Sequence, residues 1–185
     1  MARILVVDDA TTVRMYYRDV LEQAARLAGG PIAAFLLPYL RGRQSPHPDP
    51  TATPRMVDLA GHGTADPAVA LTAVFAGLAL QLAWMDAAQT ALAGPRSDAL
   101  AVLGGPGAAN DAWARLKQRI LPGALRRVDV AEPVATGAAL LAAHRVAGVT
   151  TSLPLRSADT AAPAGDPALL DAFVAAATLH DKEPA

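Results

Sequence analysis

The feature that most constrains the fold is an uncharged run at residues 67–85 (PAVALTAVFAGLALQLAWM). As a helix, a run of this length is long enough to cross a membrane. However, it is flanked by Asp66 and Asp86 rather than by basic residues, and it contains Thr72 and Gln81. Such flanks and polar residues are atypical of a membrane span. We therefore expect a helix that lies within a larger α/β body and is buried on nearly all of its sides. We expect no membrane association.

Three predicted helices begin with an acidic residue followed by proline. The side-chain oxygen at such a position caps free backbone N–H groups, and proline fits the first helical turn. The helix that includes the uncharged run should end near residue 93, before Gly94-Pro95. Apolar runs predict the strands. The predicted elements are strands at 4–7, 99–103 and 125–130 and helices at 67–93, 111–120, 133–148 and 167–177. This alternation of strands and helices indicates α/β layering.

Composition excludes several classes of function. The net charge of −1 gives no electrostatic basis for binding nucleic acid or an anionic membrane surface. There is no cysteine, so disulfides and thiol chemistry are excluded. The first ten residues carry aspartates where a secretion signal needs an apolar run, so we expect a cytoplasmic protein. Aromatic residues make up only 4% against 52% hydrophobic residues, which predicts a helix-rich fold with an Ala-rich core.

The first 22 residues carry a second signal. An apolar strand at residues 4–7 ends at Asp8-Asp9 and is followed by a predicted helix. Residues 3–22 resemble the start of a response-regulator receiver domain, in which paired carboxylates hold Mg²⁺, an ion that prefers oxygen ligands. The resemblance implies Asp8 and Asp9 as metal ligands. The alternative is that they only cap the strand and the next helix, since no acceptor aspartate or lysine follows in a receiver-like context.

Four later segments are similar, in the right order, to the FGGY family of carbohydrate kinases. They are LPYLRGRQSPHPDPTA from residue 37, DPAVALTAVFAGLALQLAWMDA from 66, LGGPGAANDAWARLKQRI from 103 and EPVATGAALLAAHRVAG from 132. Residues 36–148 therefore resemble the C-terminal, second lobe of such a kinase. The resemblance implies a partial actin-like, ribonuclease-H-like ATPase lobe.

The resemblance also implies an ATP or ADP site, with Mg²⁺, at a glycine turn. Glycines let the backbone approach a ligand closely, and the following helix N-terminus offers N–H groups to an anion. The implied contacts are Gly104, Gly105, Gly107 and Asn110. The alternative is an ordinary turn between a strand and a helix.

Several departures from the family pattern argue against catalysis by this chain alone. The family has a glutamate where Arg43 stands and usually a glycine where Asp58 stands. No counterpart of the first lobe, of the catalytic aspartate or of either phosphate loop is found in the sequence. Phosphoryl transfer depends on positioning and on charge stabilisation around the phosphates. We therefore expect an incomplete kinase lobe with at most weak nucleotide binding, and sugar binding only if another chain supplies the first lobe.

A second hypothesis is a non-catalytic protein-binding module, such as an inhibitor or an antitoxin-like neutralising partner. The apolar faces of the 67–85 helix and of the 169–177 stripe would then contact the partner. The two resemblances within one chain also leave open a recombinant or generated chimera, and, third, a receiver-type signalling protein. The predicted organisation is a receiver-like strand and helix at 1–28, a kinase-like region at 29–148, a linker at 149–167 and a terminal helix and tail at 168–185.

Overall fold

The computed structural model of the chain describes residues 19, 20, 22–24, 26, 27, 29–61, 63, 65–94, 100–104, 110–128, 130, 132–151, 155–157 and 165–179. The predicted strand at residues 4–7 and the carboxylates Asp8 and Asp9 lie outside this part of the chain. Their receiver-like role stays a prediction.

The named elements are five strands and four helices. In chain order they are β1 (Ala34–Leu37), β2 (Arg55–Asp58), α1 (Pro67–Ala93), β3 (Leu100–Leu103), α2 (Asp111–Ile120), β4 (Ala124–Val128), α3 (Pro133–Ala147), β5 (Leu155–Ser157) and α4 (Pro167–Thr178).

The helix starts predicted from acidic residues and proline are confirmed. The Asp66 carboxylate accepts a hydrogen bond from the Ala68 N–H at 2.8 Å, and the Asp166 carboxylate accepts one from Leu169 at 3.0 Å. Glu132 precedes α3 without a side-chain capping bond, and α3 ends at Gly148 in a left-handed conformation. These caps satisfy N–H groups that the helix itself leaves unpaired.

Strands β1 and β2 form an antiparallel hairpin that the sequence did not predict. Phe35 pairs with Val57 and Leu37 with Arg55. The connection between the two strands, residues 38–54, is rich in proline and also contains two arginines. Reciprocal backbone hydrogen bonds between Arg43 and Asp49, at 2.7 and 2.8 Å, order it. The hairpin therefore brings a long irregular loop into the fold.

The second sheet has the order β3-β4-β5. Strands β3 and β4 are parallel, and β5 is antiparallel to β4. Strand β5 lies inside residues 149–167, which composition alone predicted as a linker. Its pairing with β4 makes that part of the segment a component of the sheet. The other predicted domain boundaries stay predictions.

Helix α1 organises the core. It packs against β1, α2 and α4. The largest fully buried side chains come from five different elements, namely Phe35, Leu80, Leu116, Leu125 and Phe173. The Phe35 and Phe173 rings lie 5.3 Å apart in a tilted arrangement, which is a favourable aromatic geometry. The apolar stripe of α4 is therefore buried in the body of the protein, and it is not the free docking face that the protein-binding hypothesis assigned to residues 169–177.

The burial of α1 differs from the prediction. Only 50% of the most apolar 18-residue stretch of α1 is buried. The side chains of Leu78 and Leu82 are 41% and 37% exposed. These two residues are four positions apart and so lie on one face of the helix. Within the described ranges, α1 is the one helix long and apolar enough to cross a membrane. It serves here as a core helix with one face open.

The closest approach between α1 and the hairpin is at Gly77. A Cβ atom built on this glycine would lie 1.8 Å from the Leu36 carbonyl oxygen and under 3 Å from two further backbone atoms of Leu36. The strand therefore lies directly on the helix backbone, and no side chain at position 77 fits between them.

Gly77→Ala tests this contact. We expect the free energy of unfolding to fall by about 3 kcal/mol or more. The new methyl group would clash with backbone atoms of Leu36, which cannot move aside as a side chain can by changing rotamer. The matched control is Gly137→Ala, in the interior of α3, where an added Cβ meets nothing within 4 Å. That variant should gain roughly 0.5 kcal/mol from helix propensity. Equal urea midpoints for the two variants would contradict the proposed packing.

Candidate functional site

Chemically useful groups gather at the edge where β3 and β4 end. The two strands are parallel, and Leu103 pairs with Arg127 near their carboxyl ends. Helices α2 and α3 both begin at this edge: Asp111 contacts Arg127, and Pro133 lies against Gly104. In α/β folds, ligands bind outside the carboxyl ends of parallel strands. We call this region the β3–β4 edge.

Gly104 is exposed and directly follows β3. A Cβ atom at this position would lie 3.2 Å from Cγ and 3.4 Å from Cβ of Pro133. The absence of a side chain therefore serves the close approach of the α3 N-terminus. Gly105 and Gly107, the other two glycines predicted to contact a nucleotide, lie outside the described residues.

Asn110 is the N-cap of α2. Its side-chain oxygen accepts a hydrogen bond from the Trp113 N–H at 3.0 Å. The helix predicted at residues 111–120 is therefore capped by the residue that directly precedes it. The N–H groups of the first two helical residues have no partner within the helix, so they can receive an anion.

The sequence analysis missed Arg127, which is the most distinctive group at the edge. Its guanidinium donates to the Asp111 carboxylate at 2.7 Å, and the residue is only 8% exposed. Its Nε–H is buried and has no hydrogen-bond partner among the described residues. A buried donor left unpaired costs about 1–3 kcal/mol. The available signal was the pair Arg126-Arg127 inside a predicted strand, because the alternation of side chains along a strand turns one of two adjacent charges inward.

Aromatic and cationic side chains fix α2 against α1. The Trp113 ring lies 4.9 Å from the Phe75 ring, and the Lys117 ammonium lies 4.2 Å from the Trp113 centroid. Partial burial lowers the pKa of Lys117. Gln118 adds a polar tie, since its side-chain oxygen accepts from the Leu125 N–H at 3.0 Å. These contacts hold α2 between α1 and β4.

A metal centre is not assembled in the part of the chain that the structure describes. No group of three or more His, Cys, Asp or Glu side chains there could hold an ion. An open apolar groove of about 550 Å³ lies at the far end of α3, away from the β3–β4 edge. It offers no cluster of titratable groups, so we place the chemistry at the edge. The groove is lined by Leu140, Leu141, His144, Val149, Thr150 and Thr151.

The Asp111–Arg127 pair predicts a pH dependence. The hydrogen bond from Arg127 lowers the pKa of Asp111 below the ordinary value of an aspartate side chain, against the opposing effect of partial burial. A carboxyl whose pKa is lowered by folding stabilises the protein above its unfolded pKa, and that contribution is lost as the pH falls through the folded pKa. The difference in unfolding free energy between wild type and Asp111→Asn should therefore shrink below about pH 3.8. Because Asp111 is half exposed, we expect the difference at neutral pH to be about 1 kcal/mol or less. Urea titrations at several pH values measure it, and a constant difference from pH 7 to pH 2 would contradict the assignment.

Comparisons with known proteins agree with the kinase-like segments. The sequence profile of the FGGY family of carbohydrate kinases, C-terminal domain, matches residues 6–146. The match includes most of residues 3–22, so it extends into the receiver-like start. No curated protein sequence matches the chain.

Solved structures give the same fold. Xylulose kinase from Bifidobacterium adolescentis is similar with a TM-score of 0.63 and 25% identity, over 90% of this chain and 34% of that one. Plasmodium falciparum glycerol kinase with ADP has a TM-score of 0.66 and 14% identity, over 95% of this chain and 37% of its own. Xylulose kinase from Rhodospirillum rubrum has a TM-score of 0.60 and 24% identity, over 94% of this chain and 36% of its own.

The chain thus spans little more than a third of the length of these kinases. Their actin-like, ribonuclease-H-like ATPase fold is the one predicted for the body of this chain, and the prediction of a kinase C-terminal domain is confirmed. The chain belongs to the FGGY family of carbohydrate kinases, matching its C-terminal domain.

Proposed function

We propose that this chain is the nucleotide-binding part of a carbohydrate kinase and that it binds ATP or ADP weakly at the β3–β4 edge. The observation that carries the proposal is that the end of β3 and the N-terminus of α2 both lie beside Arg127, which pairs with Leu103 and contacts Asp111. Gly104, Gly105, Gly107 and Asn110 are the proposed nucleotide contacts. The fit to an anionic ligand is supported by the buried, unpartnered Nε–H of Arg127 beside this helix N-terminus.

The proposal excludes sugar phosphorylation by the chain alone. Phosphoryl transfer requires a positioned nucleophile and charge stabilisation around the phosphates. At the edge, Arg127 already engages the Asp111 carboxylate, and Glu132 directly precedes α3 without a side-chain capping bond. The remaining two thirds of a full-length family member would supply the base, the sugar contacts and further phosphate contacts. Any Mg²⁺ would arrive with the nucleotide, while Asp8 and Asp9 remain a separate prediction. We expect this reaction in the cytoplasm.

Two measurements on the purified chain test the proposal. In a coupled ADP-release assay across pentoses, hexoses and glycerol, we expect no sugar-dependent turnover. In thermal unfolding, 5 mM ADP should raise Tm by about 3 °C if Kd is roughly 0.5 mM, through mass action on the folded state. Clear sugar-dependent turnover would contradict the first part, and an unchanged Tm would contradict the second.

Asn110 offers matched variants for the binding experiment. Asn110→Asp and Asn110→Ser both keep a side chain that caps α2. The aspartate adds a negative charge at the proposed phosphate position, so it should abolish the ADP-dependent rise in Tm, whereas the serine should retain it. Identical responses from both variants would place the nucleotide elsewhere.

A second candidate function, protein binding, is favoured by the exposure of α3. This apolar helix has no buried residue, and Val134 and Leu141 are 85% and 64% exposed. Being seven residues apart, they lie on one face. An exposed apolar face of this kind marks a protein interface. We propose that it binds the rest of a kinase, supplied by another chain.

Light scattering tests this second candidate. At increasing protein concentration we expect the wild type to self-associate through the open α3 face. The double variant Val134→Asp/Leu141→Asp should stay monomeric, because the new charges would have to be buried in the contact. The matched control is Arg145→Asp on the same helix, which changes charge without removing an apolar side chain. A wild-type chain that stays monomeric at all concentrations, both alone and mixed with a separately expressed first lobe of a family kinase, would argue against an interface on α3.

A further inference from the structure

We infer that Arg127 is a phosphate-binding residue, whose Nε–H donates to a phosphate oxygen of the bound nucleotide. This inference rests on the proposed nucleotide site and adds a residue that the glycine-turn pattern does not contain. Its basis is the juxtaposition of a buried, incompletely paired guanidinium with the N-terminus of α2.

The first step is the burial of Arg127 without full pairing. The residue is 8% exposed, and its guanidinium presents five N–H donors. One nitrogen, Nη1, donates to Asp111 at 2.7 Å. The Nε–H has no acceptor in the described part of the chain and almost no access to water. Arginine is the residue best suited to phosphate, because its planar fork donates to two oxygens together.

The second step is position. Arg127 pairs with Leu103, the last residue of β3, so it lies beside the point where the chain leaves that strand. Side chains alternate along β4: Leu125 and Arg127 are buried, while Arg126 is exposed. Arg127 therefore faces α2, whose first N–H groups attract an anion. Gly104 lies on the other side, near Val128 and Pro133.

The third step is charge. Asp111 is half exposed and neutralises one side of the guanidinium. Because the Nε–H is buried in the ligand-free protein, a phosphate oxygen would reach it only after the guanidinium turns toward the α2 N-terminus. The phosphate would then compete with this carboxylate for the same positive charge. The two residues should therefore affect ligand binding in opposite directions, which an ion pair with a purely structural role would not do.

The experiment compares Arg127→Lys and Asp111→Asn in the full chain, by calorimetric titration with ADP, adenosine and pyrophosphate. Lysine keeps a positive charge that can pair with Asp111 but lacks the Nε–H. We expect it to weaken ADP and pyrophosphate binding about tenfold, the size of one charge-assisted hydrogen bond, and to leave adenosine binding unchanged. Asparagine removes the competing charge and should tighten ADP binding about twofold to threefold. Circular dichroism establishes that each variant is folded.

The outcomes separate this inference from the proposed function. If the wild type binds ADP and Arg127→Lys binds it equally well, Arg127 is not a phosphate contact, while the nucleotide site stands. If both variants weaken ADP binding by the same factor and lose the same stability, the pair is structural and the inference fails. If the wild type binds neither ADP nor pyrophosphate, the inference and the proposed function fail together. Should Arg127→Lys not fold, tighter ADP binding by Asp111→Asn supports the inference and weaker binding overturns it.

Discussion

The contact between Gly77 and the Leu36 backbone is the constraint on which the rest of the structure depends. It lets β1 cross α1 with no side chain between them, since any Cβ atom at position 77 would overlap the Leu36 carbonyl oxygen. This close crossing places Phe35 and Leu37 in the core beside α4. Helix α1 also packs against α2, and α2 packs against β4. The position of the β3–β4 edge is therefore set, through two packed interfaces, by one glycine far from it.

Two departures from the family pattern have structural explanations. Arg43, where the family has glutamate, is buried; its guanidinium donates to the His47 and Ala177 carbonyls and lies over the Trp84 ring. Arg55 donates to the Ala176 carbonyl at 2.7 Å. The last turn of α4 has no basic residue of its own, so these arginines supply positive charge at its C-terminus. Asp58, where the family usually has glycine, accepts three backbone N–H groups and closes the loop to Gly63.

The sequence predicted the elements whose signals are local. Asp66 followed by Pro67 and Gly94 followed by Pro95 bound α1 correctly, because capping and breaking act within one turn. The β1–β2 hairpin was missed because each strand has four residues and the connection between them is long. Strand β5 was missed because its three residues have no apolar pattern typical of a strand. They are extended because they pair with β4. Gly104 and Asn110 were predicted to contact a nucleotide. In the structure, Gly104 packs against Pro133 and Asn110 caps α2. Arg127 required tertiary information, since only the fold brings it to Asp111.

The balance of charge at the β3–β4 edge is the physical basis for proposing weak nucleotide binding without phosphoryl transfer. A nucleoside diphosphate brings at least two negative charges. In the described part of the edge, the Arg127 guanidinium is already paired with Asp111, and the N-termini of α2 and α3 add only their partial positive charges. On this balance of charge, we propose that the site holds phosphate weakly and leaves most of the transition-state charge unstabilised. A second phosphate-binding surface would supply the missing positive charge. Under the proposed function, tight nucleotide binding and phosphoryl transfer need further groups at the same edge, brought by polypeptide that packs on the open faces of α1 and α3.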